Sequence, residues 1–262
     1  MKLKITQVDA FAEKVFGGNP AAIIVLEDWL EDSLMQQIGM ENNLSETAFL
    51  VKEEAGYHIR WFTPDVEVDL CGHATLASAK VLFDHQDFPG NEITFNSKSG
   101  QLKVKKETNG KLTLNFPVTP FELVNDPPAS ILQALKVDTA TIYKGSFDYM
   151  AVVEHQQQIE SLNPDFNLLS TLQSRGIVVT ARGNEADFVS RCFFPQSGVN
   201  EDPVTGSAHT MMTLYWAKEL GRNKLSAIQL SSRKGNLECE LSGDRVYISG
   251  NAITYMTGEI EI

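Results

Sequence analysis

The feature that most constrains this chain is that its second half repeats its first, at an offset of roughly 131–135 positions. Arg60-Trp61-Phe62-Thr63-Pro64 is echoed by Arg191-Cys192-Phe193-Phe194-Pro195, and Gly72-His73-Ala74 by Gly206-Ser207-Ala208. Downstream, Phe95-Asn96-Ser97-Lys98-Ser99-Gly100 runs beside Leu230-Ser231-Ser232-Arg233-Lys234-Gly235. Each half then turns, at Asn109-Gly110 and at Ser242-Gly243-Asp244, into a further strand. Matches that keep their order and spacing point to a two-fold duplication, and the period is too long for a solenoid.

Each half reads as strands, a helix and more strands, an α/β (α+β) pattern. Ile5–Phe11 and Ala21–Leu26 are strand-like, and Thr47–Val51 and His58–Phe62 look like partners. Leu30, Leu34 and Ile38 share one helical face. The stretch after Gly72 is apolar around its whole circumference, which predicts a buried helix with a sheet wrapped around it. Asn109-Gly110 predicts a tight hairpin in which both turn residues have positive φ. Prolines at 117, 120, 127 and 128 mark a linker, because proline removes ladder donors. The expected lobes are 1–117 and 128–262, with a small-molecule cleft between them.

A net charge of −12 argues against nucleic acid or an anionic membrane as partner. No apolar run approaches the ~20 residues of a membrane helix, and the N-terminal residues lack a signal-peptide core. The three cysteines, Cys71, Cys192 and Cys239, form no zinc-like cluster, so free thiols in a reducing cytoplasm are expected.

The two matched glycines, Gly72 and Gly206, each open a helix, where free N–H groups and the helix dipole favour an anion. Both also suit plain strand-to-helix turns. His73 and Ser207 follow them at matching positions, and Glu201 and Asp202 precede the second. His73 fits a ligand-binding imidazole or a structural one; Asp202 fits a substrate or histidine partner, or a helix-dipole partner. Ser207 has no neighbouring base that would make it a nucleophile. Glu46 opens an apolar strand, and the repeat offset sets it near Ile177, so no acid mirrors it.

Gly18-Asn19-Pro20, Ser45-Glu46-Thr47-Ala48-Phe49, Phe62-Thr63-Pro64, Cys71-Gly72-His73-Ala74-Thr75 and Glu201-Asp202-Pro203-Val204-Thr205-Gly206-Ser207-Ala208 together resemble the PhzF-like family of phenazine biosynthesis. The motifs run in family order over nearly the whole chain. The resemblance implies the diaminopimelate epimerase fold: two pseudo-symmetric lobes, each a sheet or partial barrel around a central helix. It implies that the last strand, 252–262, crosses back to the first lobe. It implies Glu46 as general acid and base, with His73 and Asp202 completing the catalytic set. Asn19, Gly72, His73, Gly206 and Ser207 would bind a small carboxylate substrate. The founding reaction is a proton shift in trans-2,3-dihydro-3-hydroxyanthranilate, and it needs no metal, flavin, nicotinamide or pyridoxal. A homodimer is implied as well.

A glutamate base needs its pKa raised towards neutrality, which burial in a closing site supplies. Two rival functions remain. An amino-acid epimerase of this fold uses one cysteine from each lobe, but the repeat sets Thr205 opposite Cys71, and a threonine is a poor base. A small-molecule-binding protein without catalysis is the other.

Overall fold

The computed structural model describes residues 1–85 and 88–262. The chain divides into two compact units, Met1–Asn115 with Ile248–Ile262, and Phe116–Tyr247.

The first unit runs β1 (Lys2–Ala10), β2 (Asn19–Leu26), α1 (Asp32–Asn42), β3 (Glu46–Glu53), β4 (Gly56–Phe62), β5 (Glu67–Val68), α2 (Gly72–His85), β6 (Glu92–Ser97), β7 (Gly100–Lys106) and β8 (Leu112–Pro117). The second continues with β9 (Phe121–Leu123), α3 (Ala129–Leu135), β10 (Thr141–Gly145), β11 (Asp148–Val152), α4 (Gln156–Glu160), α5 (Phe166–Leu169), β12 (Gly176–Arg182), β13 (Phe188–Phe194), β14 (Val199–Asp202), α6 (Gly206–Leu220), β15 (Lys224–Gln229) and β16 (Gly235–Ser242). Then β17 (Arg245–Gly250) passes from the second unit to the first, and β18 (Ala252–Glu261) closes the chain there.

In the first unit, β1 lies between β2 and β18, antiparallel to both; β2 runs parallel to β3, and β3 antiparallel to β4. β6 continues from β4 in parallel, and β7 and β8 follow as hairpins. α2 packs against β1, β2, β3, β7 and β18, so the strands surround it. That explains its composition. Ten of its fourteen residues are buried, and most are small or apolar, Leu76, Ala77, Ala79, Val81 and Leu82 among them. Its buried hydroxyls are satisfied within the helix: Thr75 donates to the Cys71 carbonyl and Ser78 to that of Ala74. α1 covers the outside of the sheet, where Met35 and Ile38 pack with Ile24, Phe49 and Phe62.

The second unit repeats this order. β11 runs parallel to β12, β12 antiparallel to β13, and β13 parallel to β15. α6 packs against β15 and β16, and α3, α4 and α5 cover the other face through Ile131, Leu135, Ile159 and Leu169. The strand order and the packing of α6 make this the sheet-around-helix design that the repeat predicts.

Two local expectations are corrected. The helix expected from Leu30 begins at Asp32, so Leu30 packs from the loop before it. At Asn109-Gly110 only Gly110 has positive φ, +87°. Gly110 donates to the Glu107 carbonyl and Glu107 to that of Lys111. The loop is a longer turn closed by a left-handed glycine, an arrangement that needs one positive φ and not two.

Candidate active site

The first unit gathers four of the singled-out side chains. Glu46 opens β3, Asn19 opens β2, and Cys71 and His73 flank the first residue of α2. Gly18 makes the approach possible: its φ is +61°, and a Cβ there would meet the Ala10 carbonyl oxygen. His73 Nε2 lies 3.1 Å from Glu46 Oε2, and neither atom has a hydrogen-bond partner besides this close contact. On the other side of the ring, Nδ1 is 3.1 Å from Asn19 Nδ2 and 3.5 Å from Cys71 Sγ. The His73 side chain is 5% exposed and that of Glu46 16%, so only the carboxylate reaches outward.

Burial opposes a charge on the His73 ring, while negative charge on Cys71 or Glu46 favours it, and the balance lies above the ordinary histidine value. Burial, and then the Glu46 carboxylate, push the Cys71 thiol up to about 11. At neutral pH the sulfur is therefore uncharged. Glu46, Cys71 and His73 bring their ligand-type atoms within 4.8 Å of one another. Yet the ring turns Nδ1 to Cys71 and Nε2 to Glu46, so no single nitrogen serves both. The set suits proton transfer better than a metal ion.

The second unit places Asp202 at the end of β14 and Gly206 and Ser207 at the start of α6. Asp202 Oδ2 accepts from the Thr205 hydroxyl at 2.6 Å, so the residue ahead of α6 spends its side chain on Asp202 and does not cap the helix. Gln229, fully buried, locks the turn: its amide donates to the Asp202 carbonyl at 2.7 Å and accepts from the Thr205 N–H at 2.8 Å. Arg175 grips Asp148 with two donors and reaches Ser207 Oγ at 3.2 Å. Sequence reasoning missed Gln229, Arg175 and Asp148: Gln229 stands just before the matched stretch that opens at Leu230, and the other two lie in no matched motif.

Glu201 takes a different part from the one its neighbour suggested. It forms a two-pronged ion pair with Arg191, at 2.7 and 2.8 Å. Glu67 does the same with Arg60, at 2.8 and 2.9 Å. Each glutamate stands five positions before its helix-opening glycine. This duplicated pair is scaffolding, and its two arginines stand at matched positions of the repeat.

Residues 8–258 match the family of phenazine biosynthesis-like proteins. The chain belongs to that family. It is 50% identical to an uncharacterized isomerase of Pseudomonas aeruginosa, over all of both chains. The crystal structure of a PhzF-family phenazine biosynthesis protein from Enterococcus faecalis matches it with a TM-score of 0.96 at 45% identity, again over both chains in full. A hydroxyproline epimerase from Agrobacterium vitis shares the fold at a TM-score of 0.65, with 9% identity over 99% of this chain and 92% of the other. The fold is thus diaminopimelate epimerase-like, and the chain is an enzyme of the isomerase type. Among the described residues no helix is long and apolar enough to cross a membrane.

Proposed function

We propose that this enzyme moves a proton between carbons of a small amino- or hydroxy-carboxylic acid, with Glu46 as base first and acid second. The observation that carries this is a carboxylate, 16% exposed, that lies 3.1 Å from an imidazole only 5% exposed. Glu46 takes the proton from one carbon of the substrate and returns it to another, while His73 steadies the carboxylate. No step calls on a metal or an organic cofactor, because one carboxyl performs both transfers. Asp202 and Ser207, with the uncapped start of α6, are the groups of the second unit suited to the substrate's amino, hydroxyl or carboxylate functions. A homodimer in the cytoplasm goes with this reading, and light scattering of the purified protein checks the dimer.

The epimerase reading asks for a second thiol. Thr205 holds the position that repeats Cys71, and its hydroxyl is bound to Asp202. Cys71 itself stays a thiol at neutral pH. Both facts favour the single-carboxylate mechanism.

The test is proton NMR in D2O with trans-2,3-dihydro-3-hydroxyanthranilate beside a panel of small amino and hydroxy acids. Isomerisation or deuterium uptake at carbon is expected, falling by roughly 10²–10⁴-fold or more in Glu46→Gln while ligand binding persists. A fully active Glu46→Gln enzyme would sink the assignment. Ligand binding without any exchange would favour the non-catalytic binder.

A further inference from the structure

We propose that Asn19 is a positioning residue: its amide, with the Cys71 thiol, holds the His73 ring so that Nε2, the atom facing Glu46, always keeps its hydrogen. This rests on the reading of Glu46 and His73 as the proton-transfer pair, and it divides the labour between them.

Asn19 presents its Nδ2 to His73 Nδ1 at 3.1 Å, and Cys71 Sγ lies 3.5 Å from the same nitrogen. An amide NH2 only donates. A thiol that keeps its proton to about pH 11 donates too. Two donors converge on Nδ1, which must therefore accept in the neutral ring, and the ring's one hydrogen sits on Nε2. Asn19 is 0% exposed and His73 4%, so water does not compete for Nδ1. Glu46 from β3 and Cys71 from the turn before α2 are the titratable groups in contact with the ring among the described residues of this unit. Any further proton must go to Nδ1, so Nε2 carries its hydrogen in both charge states. His73 is then a fixed donor to Glu46. It cannot take the substrate's proton through Nε2, and the proton travels on Glu46 alone. Asn19 acts through His73, whose ring it contacts from a fully buried position.

The experiment is a long-range proton–nitrogen correlation spectrum of the ¹⁵N-labelled full chain, titrated from about pH 6 to about pH 10. Loss of one signal set in His73→Gln identifies His73 among the five histidines. Nε2 is expected to stay protonated throughout, with Nδ1 the atom that titrates. A neutral ring with its hydrogen on Nδ1 overturns the proposal. Asn19→Asp keeps the shape and replaces the donor by an acceptor. It is expected to move the hydrogen to Nδ1 in the neutral ring and to raise the titration midpoint by about one unit or more. With a substrate in hand, kcat should fall while KM changes little. An Asn19→Asp spectrum identical to wild type also overturns the proposal, and if that variant does not fold, the wild-type spectrum decides. The spectra contain no substrate, so a Glu46 that proves not to be the catalytic base leaves this result intact.

Discussion

The strand pairs β3–β4 and β12–β13 have the same design, and one carries an acid where the other has a glycine. β3 pairs Thr47 with Phe62, and β12 pairs Ile177 with Phe193. The repeat matches Phe62 with Phe193, so by ladder register Glu46 corresponds to Gly176. The sequence offset had set it near Ile177, and a one-residue slip in a strand exchanges the two faces. At Gly176 a Cβ would fall 2.3 Å from the Phe193 carbonyl oxygen and 2.3 Å from the Phe194 ring. The second unit thus has no room for the acid that opens β3. Its neighbours have taken other work: Arg175 and the buried Asp148 form a half-buried ion pair there, at the positions of Ser45 and Ala21. The duplication kept the scaffold and left the carboxylate–imidazole pair in one copy.

The strongest way to break this comparison is to restore the symmetry. Gly176→Glu is expected to destabilise the protein by on the order of 4 kcal/mol or more, because a backbone carbonyl blocks the Cβ and cannot move aside cheaply. Gly176→Ala should already cost a large part of that. Urea melts give the measurement, and a Gly176→Glu protein of wild-type stability would mean that the two strand starts are interchangeable after all.

A second contrast is between the buried histidines in the first turns of the long helices. His73 faces a carboxylate and is drawn upward. His209 is fully buried, donates from Nδ1 to the Thr205 carbonyl at 2.8 Å, and burial pushes its pKa down to about 4. The unfolded chain binds a proton near pH 6.5 that the folded His209 refuses. Stability from this group is therefore complete above about pH 6.5, declines as the pH falls, and levels off below about 4, a loss of up to roughly 3 kcal/mol. His209→Gln should flatten the pH dependence in that window. Glu67, held down to about 2 first of all by its hydrogen bond from Arg60, loses its contribution only below about 4.5, so the two windows separate.

The duplicated arginines sharpen the comparison further. Arg191 binds Glu201 and also donates to the carbonyls of Ile159 and Leu162, tying α4 and the segment after it to β13. Arg60 binds Glu67 and an exposed Asp32. Arg191→Met is expected to cost about 3 kcal/mol and Arg60→Met about 2, since the first strands buried carbonyls as well as a carboxylate. Equal losses in chemical denaturation would show that the carbonyl contacts contribute little.

How much of this could be read from the chain follows from what kind of signal each part leaves. The sheet-around-helix design was legible because periodicity and the buried composition of α2 are local, and the repeat said them twice. Glu46 and His73 stood out through position and family motif, but their 3.1 Å contact depends on β3 and α2 meeting in space. Gln229 and Arg175 were not legible. Each is an ordinary polar residue in sequence, and each gains its part only from partners at least 24 positions away. The Cys71 contact with His73 was within reach, two positions apart on a helix start, yet a cysteine there reads equally well as packing. The hairpin at Gly110 went astray because the Asn-Gly signal reports a turn without fixing its length.

The smallest effects come from the hairpins that end each repeat. Gly110 and Gly243 both have positive φ, +87° and +60°, and a Cβ at either would meet nothing within 4 Å. Alanine at each should therefore cost only the backbone strain, about 1 kcal/mol. Asparagine separates them. A φ of +60° lies in the left-handed helical region, where asparagine is tolerated, while +87° lies at its edge. Gly243→Asn is thus expected to lose only a few tenths of a kcal/mol and Gly110→Asn more, within about 1 kcal/mol. Thermal melts of the two variants compare them directly. If Gly110→Asn proves the milder change, the turns differ by more than their φ angles, and the likeness of the two repeats ends before their last hairpin.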